Sequence, residues 1–366
     1  MRSALVFSFF ALQWPAAGMT QSRSTITIGL LDFEDAQRIR CEVVSNTYEW
    51  ISLEHGQQRT VATLEGIDEV VKTEQGYSIA TESGEGHSAY YILQPTSGNG
   101  TIRLISEPTG YRQYSGAVHF YWHANQWHIA LESDLEDYVA GVLVAEVGKG
   151  HAMALYTAHA VVSRTYALNT FGRHRLEGFD VCDQVHCQVF DGVSTVNDSI
   201  RMGCTASRSL VLTDRLGRPI PAAFHSNCGG VTRSSAAVWQ EASPHLLPVQ
   251  DDACAHGAHA QWEKQIIGDE WNTWQPDSAQ RAAFSMQTRT RFQLPSDRYK
   301  IGPQGDTLIL SGRGFGHGVG MCQEGAMARA KHGASPWDIL NAYYQEIRLR
   351  STTQLTILEA RGVWGK

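Results

Sequence analysis

The chain has 366 residues, of which 42% are hydrophobic and 18% charged, and its formal net charge is −7 at pH 7. This composition excludes a disordered chain and is typical of a folded protein with one large domain or two smaller ones. The negative charge argues against a nucleic-acid binder, because phosphate contacts require a basic face. An uncharged or weakly charged substrate is therefore expected.

Residues 1–22 show the pattern of a secretory signal peptide. A positive charge at Arg2 precedes an apolar run from Ala4 to Trp14, and small residues follow within Pro15–Gly18. The run is too short to span a membrane, and no later run approaches the roughly 20 apolar residues that a transmembrane helix requires. A buried N-terminal strand is the alternative interpretation. The pattern predicts an exported, extracytoplasmic protein with no transmembrane segment.

Residues 23–130 form a predicted β-rich N-terminal region. Segments such as TITIGLLDF, TIRLIS and AVHFYWHANQWHIAL alternate or run apolar between clusters of turn residues, as β-strands do. Residues 131–366 instead combine helical patterns with short strands and loops. The predicted class is therefore α+β, with a β-rich N-terminal region followed by a mixed α+β domain.

Two helices are predicted at the start of this second region. The first begins with Ser133 and Glu136 at the spacing of a capping box and ends before Gly148. The second runs from about His151 to Asn169 and is rich in alanine. Small alanine side chains would allow the two helices to pack closely.

Glu146 lies in the middle of the apolar face of the first predicted helix. On a helical projection it falls within about 20° of Leu135, and the apolar stripe around that direction consists of Tyr138, Val139 and Val142. Desolvation and the negative end of the helix dipole both raise the pKa of a carboxyl placed there. A protonated carboxyl near neutral pH suits general-acid cleavage of a glycosidic bond. The alternative is a glutamate that reaches solvent at the helix end or pairs with a buried arginine.

Arg164 lies eighteen residues later on the second helix. A helix–turn–helix could bring its guanidinium to Glu146, where it would orient the carboxylate or bind a carboxylate of the substrate. An arginine on the protein surface explains the spacing equally well.

A loop after the second helix holds two cysteines and two histidines within fourteen residues, namely His174, Cys182, His186 and Cys187. Two thiolates and two imidazoles are a plausible tetrahedral set for a structural zinc ion. A Cys182–Cys187 disulfide is the alternative, because an exported protein meets an oxidising compartment. A catalytic metal is less favoured, since four protein ligands would close the site.

Glycines occupy every second position from Gly312 to Gly320. This parity fits neither the dinucleotide fingerprint nor the P-loop. In an extended strand it would place the side chains between the glycines on one face and bare backbone on the other. These side chains are Arg313, Phe315, His317 and Val319. We interpret the segment as one wall of a saccharide cleft opposite Glu146; a tightly packed strand with a core His317 is the alternative.

Several motifs occur in the order seen in the SpoIID/LytB family, which includes stage II sporulation protein D and the amidase enhancers. They are LEDYVAGVLVAEV, AHAVVSRTYAL, HCQVFDG, AAFHSNCGGVT, PHLLPVQDDAC and GRGFGHGVGMCQEGAMARA followed by ILNAYY. The resemblance covers about residues 116–357. It implies a SpoIID-like catalytic domain over residues 131–366 that acts on peptidoglycan in the bacterial cell envelope.

The resemblance also implies roles for individual residues. Glu146 matches the catalytic glutamate, and Arg164 and Tyr166 lie in the matching Arg-Thr-Tyr segment. We also expect substrate contacts from Tyr166 and, in the C-terminal motif, from Arg313, Phe315, His317 and Gln323. Some family members hold a zinc ion with Cys and His ligands in the matching loop, which here contains His174, Cys182, His186 and Cys187. Cys228 and Cys254 look like a disulfide pair, whereas Cys41, Cys204 and Cys322 have no assigned partner. This chain departs from the family where Thr157 and His159 replace a lysine and a glutamine.

The function implied by the resemblance is that of a lytic transglycosylase acting on peptide-stripped glycan strands. One carboxyl, Glu146, would serve as acid and then as base, giving 1,6-anhydro-muramic acid ends. A hydrolase would need a second carboxylate, for which Asp183 and Asp191 in the neighbouring loop are candidates. Two other functions remain open: a non-catalytic module that binds glycan or a cell-wall amidase, and metal-dependent hydrolysis at the Cys/His loop.

Overall fold

The computed structural model describes residues 24–54, 56–74, 76–81, 84–107, 109–273 and 287–355. Sheets and helices are both present, with the strands concentrated in the N-terminal region. The predicted α+β class is therefore confirmed. The predicted signal peptide, residues 1–22, lies outside the described residues. No helix within the described ranges is long and apolar enough to cross a membrane.

Two antiparallel sheets dominate the N-terminal region. The twelve strands that build them are β1 (Thr25–Gly29), β2 (Arg38–Ser45), β3 (Tyr48–Glu54), β4 (Gln57–Leu64), β5 (Ile67–Lys72), β6 (Tyr77–Thr81), β7 (Gly84–Ser88), β8 (Tyr90–Pro95), β9 (Thr101–Ser106), β10 (Gly110–Ser115), β11 (Ala117–His123) and β12 (Gln126–Asp134). One sheet has the order β1-β12-β11-β8-β3-β4 and the other β10-β9-β2-β5-β6-β7. Buried side chains of both sheets form a shared apolar core, in which Tyr77 of β6 meets Phe120 of β11 with ring centroids 5.5 Å apart.

The N-terminal sheet continues directly into the second region. Strand β12 pairs with β1 and leads without a break into helix α1 (Leu135–Val147). On the other side of β1, the short strand β13 (Val181–Cys182) adds in parallel, with Gly29 opposite Cys182. The Cys/His loop is thus attached to the edge of the N-terminal sheet.

Helix α1 begins differently from the prediction. Its N-cap is Asp134, whose side chain accepts a hydrogen bond from the Glu136 backbone N–H at 2.8 Å. Ser133 instead donates its hydroxyl proton to the carbonyl of Ser115, and the Glu136 carboxylate faces Arg164. The predicted Ser133–Glu136 capping box is wrong, because tertiary partners in the sheet and on the next helix take both side chains.

Helix α2 (Met153–Asn169) packs between α1 and α3 (Asp198–Ala206). The close approach of α2 and α3 depends on Gly203, because a Cβ there would lie 2.4 Å from the Tyr156 Cβ. Further helices are Ser235–Trp239, Gly268–Thr273, Gln323–Lys331 and Pro336–Tyr343.

Three smaller sheets order the C-terminal part of the chain. They pair β14 (Leu210–Thr213) with β20 (Arg348–Ser351), β15 (Phe224–His225) with β19 (Met321–Cys322), and β16 (Gln261–Ile267) and β17 (Tyr299–Gln304) with β18 (Thr307–Arg313). The parallel β15–β19 pair places His225 opposite Cys322. This pairing places the start of helix Gln323–Lys331, where Gln323 is buried, next to β15.

Candidate active site

Glu146 lies in the last turn of α1 and is half-buried. Its Oε1 accepts a hydrogen bond from the Val189 backbone N–H at 3.0 Å, and its Oε2 lies 3.3 Å from the Gln323 side-chain nitrogen. Burial raises the pKa of the Glu146 carboxyl above its ordinary value, and the two donors offset part of this rise. The protonated form of the carboxyl is therefore favoured. When the carboxyl ionises, the Val189 N–H and the Gln323 amide can donate hydrogen bonds to the carboxylate.

The approach of the Val189 amide depends on a glycine in α1. A Cβ at Gly141 would lie 2.4 Å from the Phe190 ring and 2.7 Å from the Gly192 carbonyl oxygen. Without a side chain at this position, the segment 189–192 can lie directly on the helix. Phe190 also packs against Tyr138, with ring centroids 5.2 Å apart. The bare helix surface thus sets the position of the Val189 N–H.

Gln323 belongs to a chain of buried polar groups behind Glu146. Its side-chain nitrogen also lies 3.2 Å from Nε2 of His159, whose Nδ1 lies 3.0 Å from the Ser163 hydroxyl oxygen. Burial lowers the pKa of His159 to about 4, so the ring is neutral at neutral pH. With Nδ1–H donating to Ser163, Nε2 accepts from Gln323, and this contact turns the amide nitrogen of Gln323 toward Glu146.

Arg164 does not lie beside Glu146. The side chain is completely buried, and its Nε and Nη2 donate to the two carboxylate oxygens of Glu136, ten residues before Glu146 on α1. Its Nη1 donates to the carbonyls of Ser207 and Leu210, at 3.0 and 2.9 Å. The expected orienting contact with Glu146 and the exposed position needed for binding substrate are both absent from the structure. Arg164 instead fixes α1 and α2 to the segment after α3.

Tyr166 contacts Arg173, next to the Cys/His loop, and Phe224, whose ring packs against His159. Its hydroxyl oxygen accepts a hydrogen bond from Arg173 at 3.1 Å, and its ring meets Phe224 edge-on at 6.3 Å. Phe224 in turn contacts His159 at 4.8 Å between ring centroids. Tyr166 is partly buried, and its contact with substrate remains a prediction.

The Cys/His loop brings its four predicted ligands together. The ligand atoms of His174, Cys182, His186 and Cys187 all lie within 4.8 Å of one another. The Cys187 sulfur lies 3.6 Å from the nearer His174 nitrogen, and each sulfur lies 3.8 Å from Nδ1 of His186. Glu177 accepts a hydrogen bond from the other nitrogen of His174, as carboxylates do behind a metal-bound imidazole. The donor set therefore fits zinc, and the predicted Cys182–Cys187 alternative is not realised, because both thiols are free.

The glycine run is not an extended strand. Strand β18 ends at Arg313, and Gly314, Gly316, Gly318 and Gly320 all have positive φ, from 73° to 98°. Left-handed backbone at alternate positions turns the chain repeatedly, so the intervening side chains do not share one face. Arg313 and Phe315 are exposed, whereas Val319 is fully buried.

His317 lies partly buried in this turned segment. Its ring packs between Trp239 and His225, with centroid distances of 5.0 and 5.5 Å, and its Nδ1 accepts the Val319 N–H at 3.0 Å. Burial lowers the pKa of His317 to about 4. The predicted alternation of faces was wrong because a strand assignment from glycine parity ignores backbone handedness.

A second cluster of cysteines was not predicted. Cys228, Cys254 and Cys322 are buried together with Asp251, and no disulfide joins any of the seven cysteines, all of which lie in the described ranges. The pair Cys228–Cys254 has an Sγ–Sγ distance of 3.2 Å. The disulfide implied by the resemblance is thus absent from the structure, which adds Cys322 as a third sulfur.

The candidate second carboxylates have partners in the N-terminal region. Asp183 is buried and accepts a hydrogen bond from the Leu31 amide at 3.2 Å, and burial with the nearby Asp32 raises its pKa to about 7. Asp191 pairs with Arg112 at 3.1 Å. Both carboxylates are thus directed to the N-terminal region.

Three contributors to the site were missed from sequence. The Val189 amide leaves no signal in a side-chain pattern. His159 and Ser163, four apart on one helix face, could have been found as a polar pair within an alanine-rich helix. His159 was noted only as a departure from the family pattern, although it contacts Gln323 directly.

Known proteins are similar to this chain over the segment that carries the site. A sequence profile for SpoIID, described as stage II sporulation protein, matches residues 123–213, which include Glu146 and the Cys/His loop. Stage II sporulation protein D of Bacillus amyloliquefaciens is 25% identical over 327 residues, covering 75% of this chain and 88% of that protein. The protein of the same name in Bacillus subtilis is 25% identical over 250 residues, covering 58% and 73%. An uncharacterised protein of Brachyspira hyodysenteriae is 26% identical over 283 residues, covering 69% and 76%. Residues 123–213 thus match the SpoIID family, and over most of its length the chain is similar to stage II sporulation protein D.

Proposed function

We propose that this protein is a lytic transglycosylase of the bacterial cell envelope that cleaves peptide-stripped peptidoglycan glycan strands. The observation that carries the proposal is the half-buried Glu146 carboxyl, whose pKa is raised by burial and whose oxygens both face hydrogen-bond donors. Protonation of a glycosidic oxygen requires an acid that keeps its proton near neutral pH and can be reached by substrate.

In the first step, protonated Glu146 donates its proton to the oxygen that bridges C1 of muramic acid and the next glucosamine. The C1–O bond breaks, and its electron pair stays with the departing oxygen, which becomes a hydroxyl. Glu146 is then a carboxylate, and the Val189 N–H and the Gln323 amide stabilise this charge.

In the second step, the Glu146 carboxylate removes the proton from the C6 hydroxyl of the muramic acid. The C6 oxygen bonds to C1, which closes a 1,6-anhydro ring and returns the proton to Glu146. No water is consumed and no second carboxylate is needed. The directions of Asp183 and Asp191, toward Leu31 and Arg112, support this one-carboxyl scheme over hydrolysis.

Substrate binding is proposed for the turned glycine segment and its neighbours. Phe315 and Trp239 are 38% and 40% exposed and offer apolar ring faces to sugar rings. Arg313 is exposed nearby on the same segment, and His317 packs against Trp239. We propose that these residues, with Tyr166, form the wall of the cleft that leads to Glu146 and Gln323.

Zinc at the Cys/His loop would be held by His174, Cys182, His186 and Cys187. When bound, it would supply a structural crosslink with four protein ligands. Val189 follows Cys187 by two residues, so the loop that a bound metal would order carries the amide that faces Glu146.

The proposal is tested by incubating the purified protein with peptide-free glycan strands and analysing the products by mass spectrometry. We expect anhydro-terminated fragments from the wild type and from Asp191→Asn, and none from Glu146→Gln. Products with only reducing ends would replace the transglycosylase by a hydrolase. Equal activity of Glu146→Gln would refute the site, and an inert wild type that accelerates a cell-wall amidase would favour the enhancer function.

A further inference from the structure

The second cysteine cluster brings together sulfur atoms from three separate segments. Cys228 follows β15, Cys254 lies in the 3₁₀ helix Asp252–Cys254, and Cys322 is the N-cap of helix Gln323–Lys331. The three sulfurs and a carboxylate oxygen of Asp251 all lie within 4.8 Å of one another. All four residues are buried, so this "thiol cluster" is a closed group of four potential ligands.

The distances within the thiol cluster suit a tetrahedral metal ion. Bonds of about 2.3 Å from zinc to sulfur place two ligand atoms of a tetrahedron about 3.8 Å apart. Cys228 and Cys254 have sulfurs 3.2 Å apart, and the Cys228 sulfur lies 3.7 Å from Oδ2 of Asp251. Only small adjustments would be needed to seat an ion among them.

The backbone around the thiol cluster is arranged to favour thiolates. The Cys322 sulfur accepts N–H groups from Cys228 and Gly325 at 3.3 and 3.4 Å, and the Cys254 sulfur accepts the Gly230 N–H at 3.3 Å. The first of these sulfurs also lies at a helix N-terminus, where negative charge is stabilised. Such N–H donors behind sulfur ligands hold them in position for a metal.

The carboxylate of the thiol cluster is held from its far side. Asp251 is completely buried, and its Oδ1 and Oδ2 accept hydrogen bonds from Arg329 and Tyr343 at 2.9 and 2.8 Å. The arginine supplies a positive charge next to a group of up to four anions. A disulfide between Cys228 and Cys254 would leave unexplained why a third sulfur with two N–H donors is buried beside them.

We propose that Cys228, Asp251, Cys254 and Cys322 form a second metal site, for a thiophilic divalent cation such as Zn²⁺. Three sulfurs and one oxygen match the ligands and coordination number of structural zinc. Binding replaces the thiol protons, which leave to solvent, and forms metal–sulfur bonds without any redox change.

This site would position Gln323, because Gln323 follows its ligand Cys322 directly. The two donors to Glu146 would then each be tied to a metal site, Val189 to the Cys/His loop and Gln323 to the thiol cluster. This consequence rests on the proposed function, whereas the metal assignment itself does not.

The assignment is tested by measuring zinc per chain in the full-length protein, purified without chelators, by elemental analysis. We expect two zinc ions in the wild type and one each in Cys254→Ser and Cys187→Ser, the latter serving as the matched control for the Cys/His loop. Zinc that is lost in Cys187→Ser and unchanged in Cys254→Ser would overturn the proposal, as would a wild type without zinc. A single zinc ion retained in Cys187→Ser and lost in Cys254→Ser would still support it.

Two measurements on the wild type keep the test valid if a variant does not fold. X-ray absorption at the zinc edge should give an average between two and three sulfur ligands per zinc, against two for the Cys/His loop alone. Peptide mapping without reduction should find Cys228 and Cys254 uncrosslinked; a crosslink between them would refute the site. None of these readouts depends on glycan cleavage, so the metal site and the proposed activity can fail separately.

Discussion

The buried pair between Arg164 and Glu136 gives the sharpest test of how the structure reassigns a predicted catalytic residue. Replacing Glu136 by Gln leaves the Arg164 guanidinium buried, 0% exposed, without its counter-charge. Breaking a buried pair from one side costs about 3–5 kcal/mol, a large part of the roughly 5–15 kcal/mol that stabilises a typical domain. We therefore expect a large loss of stability.

A matched control lies one residue along the same helix. Asp137 has nearly the same exposure as Glu136, 19% against 17%, but its partner Arg201 is 51% exposed. Asp137→Asn removes the same charge from the first turn of α1, and an exposed pair contributes at most about 1 kcal/mol. Both variants lose the same helix-dipole interaction, so their difference isolates the buried pair.

The assay is urea-induced unfolding followed by far-UV circular dichroism, together with glycan cleavage per folded molecule. Glu136→Gln should unfold at much lower urea concentration than Asp137→Asn, while its cleavage rate per folded molecule stays close to that of the wild type. Equal stability of the two variants, combined with a selective loss of cleavage in Glu136→Gln, would refute the structural role of Arg164. It would support a catalytic role for Arg164 instead.

Three further outcomes are expected. Gln323→Leu removes a donor that lowers the pKa of Glu146, so the alkaline limb of kcat/KM should move to higher pH. A limb that stays in place, as it should in the surface variant Gln265→Leu, would contradict this expectation. The pKa of Glu146 is raised in the folded state, so the stability that the protonated carboxyl contributes is lost as pH rises through that pKa. Glu146→Gln should therefore have a higher melting temperature than the wild type near about pH 8, but not near about pH 4, the ordinary pKa of a glutamate. An equal gain in melting temperature at both pH values would contradict this expectation. Gly141→Ala forces a Cβ to within 2.4 Å of Phe190 and should cost about 1–3 kcal/mol; an unchanged melting temperature would show that segment 189–192 can move freely.

Features that depend on local pattern were predictable from the sequence. The period of α1 placed Glu146 toward the interior, and the α+β class followed from the change in pattern near residue 131. The Cys/His loop could be predicted because its four candidate ligands lie within fourteen residues. For Glu146 and for the Cys/His loop, the residues that carry the prediction lie within one helix or one loop.

The backbone conformation of the glycine segment could not be predicted from the local sequence pattern. The alternating glycines from Gly312 were expected to extend, yet Gly314 to Gly320 turn through left-handed conformations that permit close packing on residues 223–229. A Cβ at Gly320 would lie 2.0 Å from the Ala223 carbonyl oxygen. Glycine parity is the same in both geometries, so only the neighbouring segment distinguishes them.

The sequence by itself determined that a glutamate lies on the inward face of a helix and that a compact Cys/His set follows it. Only the tertiary structure decided that Arg164 pairs with Glu136, that Gln323 meets Glu146 across 177 positions, and that Cys228 and Cys322 meet across 94. The physical reason is that such partners are selected by packing between elements distant in the chain, and burial then requires each polar group to find a donor or acceptor there. Such pairing leaves no periodic pattern in the sequence from which the partners could be predicted.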